Sequence, residues 1–177
     1  MLGLNSYNYG HFSRELFHDL ARTSFSGPAP GERAPDFKAG SLDGETVRLS
    51  DYAKKKNVLL MFYPLDFSPV CSVENKQCAQ MLPSRGADDV QVLGISVDSL
   101  WAHKAFAAQN DIPYPLLADF HPKGEVAKKY GVYLEDKGIS ARTAFIIGKD
   151  GKIADVVASD IPVGRDIEKL LDKARAA

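Results

Sequence analysis

The spacing of apolar positions changes several times along the chain, and each change predicts an element. Asn57-Val58-Leu59-Leu60-Met61-Phe62 is a short, nearly continuous run of branched and aromatic side chains, which predicts a buried strand over 57–63. Pro64 ends it, because proline has no N–H to offer a neighbouring strand. Ser68-Pro69 then has the composition of a helix start, with Ser68 at the N-cap and Pro69 at the first helical position. That helix is predicted to run from 68 to about 82 and to stop near Pro83. Beyond it the pattern predicts a strand at 90–97, a helix at 100–109, a short strand at 115–117 and a helix at 123–130 ended by Gly131. Segments 142–147 and 152–157 flank the turn Lys149-Asp150-Gly151-Lys152 as a hairpin, and a last helix covers about 164–175. Upstream, Asp43-Gly44 predicts a hairpin turn into a short strand at 46–49. Strands alternating with helices, then a late hairpin and a closing helix, make an α/β protein whose central mixed sheet carries helices on both faces.

Residues 1–30 follow a different pattern. Phe12, Leu16, Phe17 and Leu20 fall at helical spacing, so an amphipathic helix is expected near 11–23, and Ser26-Gly27-Pro28-Ala29-Pro30-Gly31 is expected to be a linker. The division is therefore an N-terminal extension, 1–30, and one domain, 31–177. A short isolated helix does not hold in water, so the apolar stripe needs a surface, either that of its own domain or that of a second subunit.

Composition narrows the function classes. A chain of 177 residues fits one domain with a real core, and 45% apolar with 25% charged residues is the balance of a soluble globular protein. The formal charge of −1 gives no reason to expect nucleic acid as a partner. No apolar run approaches a membrane span, and the N-terminus lacks the charged start and apolar stretch of a secretory signal. Lys54-Lys55-Lys56 is expected to be a solvated turn. The two cysteines, Cys71 and Cys78, are too few for a disulfide scaffold and favour a reducing, cytoplasmic setting. His11, His18, His103 and His121 show no metal-ligand spacing with them, so neither metal nor cofactor is expected. Trp101, Phe106 and Tyr130 are expected in the core.

Cys71 is where the chemistry concentrates. It falls in the first turn of the helix that follows Pro64, among unsatisfied N–H groups and at the positive end of the helix dipole. Such a position favours the thiolate, which is the nucleophilic form.

Pro64-x-x-x-Ser68-x-x-Cys71 resembles the active-site signature of the peroxiredoxins, with Ser in place of the commoner Thr. The resemblance extends over about 30–174. It takes in Ala34-Pro35-Asp36-Phe37, Glu74, Gly94-Ile95-Ser96-Val97-Asp98-Ser99, Phe120-His121-Pro122-Lys123-Gly124, Lys129-Tyr130-Gly131-Val132 and Arg142-Thr143-Ala144-Phe145-Ile146-Ile147 ahead of Asp150-Gly151-Lys152-Ile153. It is strongest to the one-cysteine alkyl hydroperoxide reductase E group, with the bacterioferritin comigratory proteins as neighbours. The resemblance implies a thioredoxin-like fold and a thiol-dependent peroxidase that reduces hydrogen peroxide and organic hydroperoxides through a sulfenic acid on Cys71. It also implies roles for Pro64, Ser68 and Arg142 as active-site partners of Cys71, and for Glu74 in orienting Arg142. His121 falls near the active site on the same comparison. The partners implied are a peroxide, an external thiol reductant (thioredoxin, a glutaredoxin-like protein or a low-molecular-weight thiol) and a second copy of the chain in a homodimer or larger homo-oligomer.

Elementary kinetics says what those residues must do. A thiol with a pKa near 8.5 is only about 3% ionised at pH 7, and lowering it to about 6 raises the thiolate fraction roughly thirtyfold. Nucleophilicity falls about tenfold over the same range, for a Brønsted slope of about 0.45 taken from disulfide exchange. The net gain is a few-fold, so most acceleration has to come from stabilising the charge that develops on the leaving oxygen. Arg142, a permanent charge with forked donors, suits that task, and the Ser68 hydroxyl can donate to sulfur or oxygen.

Cys78 is the one candidate resolving thiol. Seven residues of helix rise about 10.5 Å, while a disulfide needs Cα atoms roughly 4.4–6.8 Å apart. A one-cysteine cycle is therefore favoured. The alternatives are a non-catalytic redox-sensing or binding module of the same fold, and a thioredoxin-type disulfide oxidoreductase, for which Glu74 stands where the second cysteine would have to be.

Overall fold

A computed structural model describes residues 26–85 and 88–177. The expected amphipathic helix, with Phe12, Leu16, Phe17, Leu20, His11 and His18, lies outside the described residues. The strands are β1 (Lys38–Gly40), β2 (Thr46–Arg48), β3 (Asn57–Phe62), β4 (Val90–Ser96), β5 (Leu116–Ala118), β6 (Tyr133–Leu134), β7 (Ile139–Ser140), β8 (Arg142–Ile147) and β9 (Ile153–Ser159). The α-helices are α1 (Pro69–Arg85), α2 (Leu100–Asn110), α3 (Glu125–Lys129) and α4 (Ile167–Ala176). Seven strands form one sheet in the order β2-β1-β5-β4-β3-β8-β9, and β6 and β7 form a separate small hairpin. β3, β4 and β5 run parallel, whereas β8 is antiparallel to β3 and β9 to β8, which makes the sheet mixed.

Strand alternation builds two cores. Leu59, Met61 and Tyr63 face one side, with Ala144 and Ile146 of β8, and there they meet α1, α2 and α4. Val58, Leu60 and Phe62 face the other, with Phe145 and Ile147, against Val126 and Ala127 of α3 and the aromatic rings of Phe37 and Tyr130. A strand buried on both faces has no polar side to show, which is why 57–62 reads as a continuous apolar run. Gly94 of β4 is crowded by side chains from its neighbouring strands. A Cβ there would sit 2.6 Å from Leu116 Cδ2 and 3.4 Å from the Tyr63 ring.

Four expectations need correction. α1 continues past Pro83 to Arg85, because a proline in the last turn forfeits one terminal hydrogen bond without breaking the turns before it. The 26–31 segment is docked rather than a free linker. The Gly31 N–H donates to the Ile153 carbonyl at 2.8 Å, and a Cβ on Gly131 would meet the Gly27 backbone at 2.4 Å. Trp101 is 80% exposed, since it falls on the outer face of α2 while His103, Phe106 and Ala107 take the inner one. The last helix begins at Ile167, after a loop whose residues enter the site described below.

Candidate active site

The cysteine is delivered by a short, tightly specified path. The Tyr63 N–H makes a last bond to the Ile95 carbonyl at 3.1 Å, and buried Pro64 then leaves the sheet. Phe67 lies in the left-handed region at φ 61°, a conformation that costs a non-glycine residue roughly 1–2 kcal/mol. Pro69 then opens α1. The Ser68 carbonyl accepts from the Ser72 N–H at 2.9 Å, which puts Ser68 at the N-cap as expected. Its hydroxyl, however, donates to the Leu65 carbonyl at 3.0 Å instead of capping a helix N–H, because the turn at Phe67 brings that carbonyl within reach.

The inner face of α1 carries Cys71, Glu74, Asn75, Cys78 and Ala79, a helical stripe in which four of five residues are not hydrocarbon. Those groups account for the fit. Cys71 is fully buried. Arg142, at the start of β8 and 1% exposed, points Nη2 at the Cys71 sulfur from 3.4 Å. Its Nη1 donates to Glu74, while Nε and Nη2 donate to the Ile161 carbonyl at 3.1 and 2.8 Å. Arg165 closes the cluster. Its backbone N–H and Nε donate to Glu74 Oε1 at 2.6 and 3.0 Å, its Nη2 to Oε2 at 3.1 Å, and its Nη1 to the Phe62 carbonyl at 3.1 Å.

Charge bookkeeping follows directly. Two buried guanidiniums share one carboxylate, so the cluster carries one unit of positive charge in excess, and the sulfur is the group it faces. An anion at that position completes the balance. Burial by itself would push the Glu74 carboxyl up, but the hydrogen bonds and charge of Arg165, with the charge of Arg142, hold it below the ordinary carboxylate range. A lowered carboxyl contributes stability above its unfolded value, about pH 4.3, and loses it as pH falls through the lower folded value. Glu74→Gln should cost about 3–5 kcal/mol, the scale for breaking a buried pair from one side, and should flatten the acid limb of stability against pH. Denaturant melts from pH 3 to 7 check both. An unchanged acid limb would count against Glu74 as the group that holds the two arginines.

The Asn75 amide donates to the Cys71 carbonyl at 2.9 Å and accepts from the Tyr114 hydroxyl at 2.9 Å, which fixes the helix turn that bears the cysteine. Cys78 lies one stripe position further on, fully buried. Burial pushes its thiol up to about 12, with the Tyr114 hydroxyl and Arg165 opposing. It is protonated at neutral pH, and both cysteines are free.

Of the residues singled out in the sequence, Cys71, Glu74 and Arg142 come together in direct contact. Ser68 and Pro64 sit in the loop before the helix, with the hydroxyl turned away toward Leu65. His121 is exposed, and among the described residues no cluster of His, Cys, Asp and Glu could hold a metal. Sequence reasoning missed Arg165 and the Ile161 carbonyl. Only the Pro162-Val163-Gly164 loop before the last helix could have hinted at them. That loop lies on α1, where a Cβ on Gly164 would stand in ordinary van der Waals contact with Val70 Cγ1 at 3.6 Å.

A mixed sheet with this order and helix cover is the scaffold of thiol peroxidases with a thioredoxin-like fold, and comparison with known proteins bears this out. The solved structure of Enterococcus faecalis AhpC superposes with a TM-score of 0.74 at 32% identity, covering 84% of this chain and 92% of that one. The AhpC/TSA family model matches residues 30–156. The chain is 41% identical over 123 residues to alkyl hydroperoxide reductase E of Mycobacterium bovis, spanning 70% of this chain and 80% of that protein. It is 35% identical over 166 residues to the chloroplastic 2-Cys peroxiredoxin BAS1 of Hordeum vulgare, spanning 88% and 78%. The chain belongs to the AhpC/TSA family of peroxiredoxins and is a thiol peroxidase. Its substrates are accordingly a peroxide and a thiol reductant.

Proposed function

We propose that Cys71 is the peroxide-reducing thiol, that Arg142, Ser68 and Pro64 form the site around it, that Glu74 orients Arg142, and that an external thiol regenerates the enzyme in a one-cysteine cycle. The observation that carries the reading is the Arg142 donor 3.4 Å from a buried sulfur, backed by a cluster with positive charge in excess. The Cys71 thiolate attacks one peroxide oxygen, the O–O bond breaks, and the departing alkoxide or hydroxide takes up a proton. Arg142 holds the developing negative charge as it moves from sulfur to oxygen. Ser68 turns its hydroxyl from the Leu65 carbonyl to the bound peroxide. The resulting sulfenic acid condenses with an external thiol to a mixed disulfide and water, and a second thiol releases Cys71.

Three features of Cys78 support the one-cysteine cycle. It sits in the same unbroken helix as Cys71, it is fully buried, and it stays protonated. Cys78→Ser should keep turnover with an external reductant, and the oxidised wild type should contain no Cys71–Cys78 disulfide. Peptide mapping without reductant is the check, and a Cys71–Cys78 link would reverse the assignment.

We propose the organisation, compartment and assembly of the chain on the same footing. The division into an extension, 1–30, and a domain, 31–177, is supported by the family match beginning at residue 30. A reducing compartment, the cytoplasm, suits two unpaired cysteines. Self-association as a homodimer or larger homo-oligomer suits the exposure of Phe67, Trp101 and Phe120, apolar side chains that a second copy would cover.

A further inference from the structure

A second group of buried polar side chains lies under the loop that leads to Cys71. The side chains of His103, on α2, and Asp66 are both fully buried, with Nδ1 2.8 Å from Asp66 Oδ2. The His103 Nε2 lies 3.1 Å from the Leu117 carbonyl. A carbonyl can only accept, so Nε2 carries a hydrogen, and one further hydrogen lies between Nδ1 and the carboxylate. The other Asp66 oxygen accepts from the Tyr63 hydroxyl at 2.7 Å. The Asp66 N–H donates to Asp98 at 2.9 Å, and the same Asp98 oxygen accepts from the Ser96 hydroxyl at 2.6 Å. Residue 66 is thus tied, through main chain and side chain, to the ends of β3 and β4 and to α2, which is itself bonded to β5.

A buried pair of this kind is a poor source of stability, since apolar side chains of like volume do as well or better. What it supplies is direction. Asp66 lies two residues from Pro64, two from Ser68 and next to Phe67 at φ 61°, and a strained conformation persists only where its surroundings over-determine it. We propose that Asp66 and His103 are positioning residues for the peroxide reaction, their buried pair fixing the 64–68 loop so that Pro64 and Ser68 stand correctly beside the helix start that carries Cys71. The proposal rests on Cys71 being the thiol that reduces peroxide.

The test compares two reactions of the same sulfur. Peroxide reduction needs the oxygen-holding geometry of the loop, whereas alkylation by iodoacetamide does not. Asp66→Asn and His103→Gln should lower the second-order rate with hydrogen peroxide about tenfold or more, short of the roughly 10²-fold that a 1 Å misplacement can cost, with alkylation within about twofold of wild type. Tyr63→Phe removes a single hydroxyl from the network and should lower the peroxide rate several-fold. Leu49→Ala, in the other core, provides a destabilised control whose peroxide rate should stay within about twofold of wild type. A peroxide rate unchanged in the folded variants overturns the proposal, and so does an alkylation rate that falls in parallel. If neither Asp66→Asn nor His103→Gln folds, Tyr63→Phe decides by the same two rates. A wild-type protein inert to peroxide at Cys71 would instead refute the assignment of that thiol.

Discussion

Cys71→Ser should reduce the peroxide rate to background while leaving the fold intact. The substitution exchanges sulfur for oxygen at a fully buried position, and the hydroxyl can still accept from the Arg142 guanidinium that now approaches sulfur at 3.4 Å. What disappears is the nucleophile. Cys78, the one other cysteine in the chain, is fully buried and its thiol is pushed up to about 12, so it cannot stand in. Stopped-flow consumption of hydrogen peroxide, with circular dichroism and thermal melting as the check on folding, gives the result. A folded Cys71→Ser variant that kept more than a small fraction of the rate would remove the basis of the functional reading.

For Arg142→Met the expected loss is about 10²-fold or more in the second-order peroxide rate, the usual scale for deleting a donor that stabilises transition-state charge. The fold should survive, since Glu74 keeps three bonds from Arg165 and the methionine fills much of the space. Removing Arg142 also restores neutrality between Glu74 and Arg165, so no excess positive charge faces the sulfur. The decisive measurement pairs the rate with a thiol titration. A near-normal rate beside a clearly raised titration midpoint would mean that the arginine only ionises the cysteine, and that the leaving oxygen is stabilised elsewhere.

The parts of this structure that could be read from sequence are those governed by local periodicity and proline chemistry. Strands β3, β4 and β8 are buried on both faces, so their apolar runs are unambiguous, and Pro64 and Pro69 bracket the loop before α1. Helix α1 is different. Its buried stripe is mostly Cys, Glu and Asn, so hydrophobic patterning says little about which face turns inward; the Ser-Pro start and the family resemblance located it. Nothing local to Arg142 marks it as a site residue, and only the resemblance sets it beside the cysteine. Arg165, Ile161 and the Asp66–His103 pair are not legible because their partners lie 19 to 103 residues away, and no local signal encodes that register. The small β6–β7 hairpin and Trp101 were missed for the opposite reason. Two-residue strands carry no period, and an aromatic side chain on a helix is as easily outside as in.

The sequence separations within the arginine cluster also set an order of events during synthesis. Cys71 is joined to Arg142 across 71 residues, and Glu74 to Arg165 across 91. At about 5–20 residues per second, the cysteine is made roughly 4–14 s before the arginine that faces it. Throughout that interval the nascent chain carries Cys71 without the guanidinium that faces it in the folded protein. On the proposed role of Arg142, reactivity toward peroxide arrives only with the C-terminal third of the polypeptide. On the same reading, a growing chain is spared from spending Cys71 before the pocket that uses it exists.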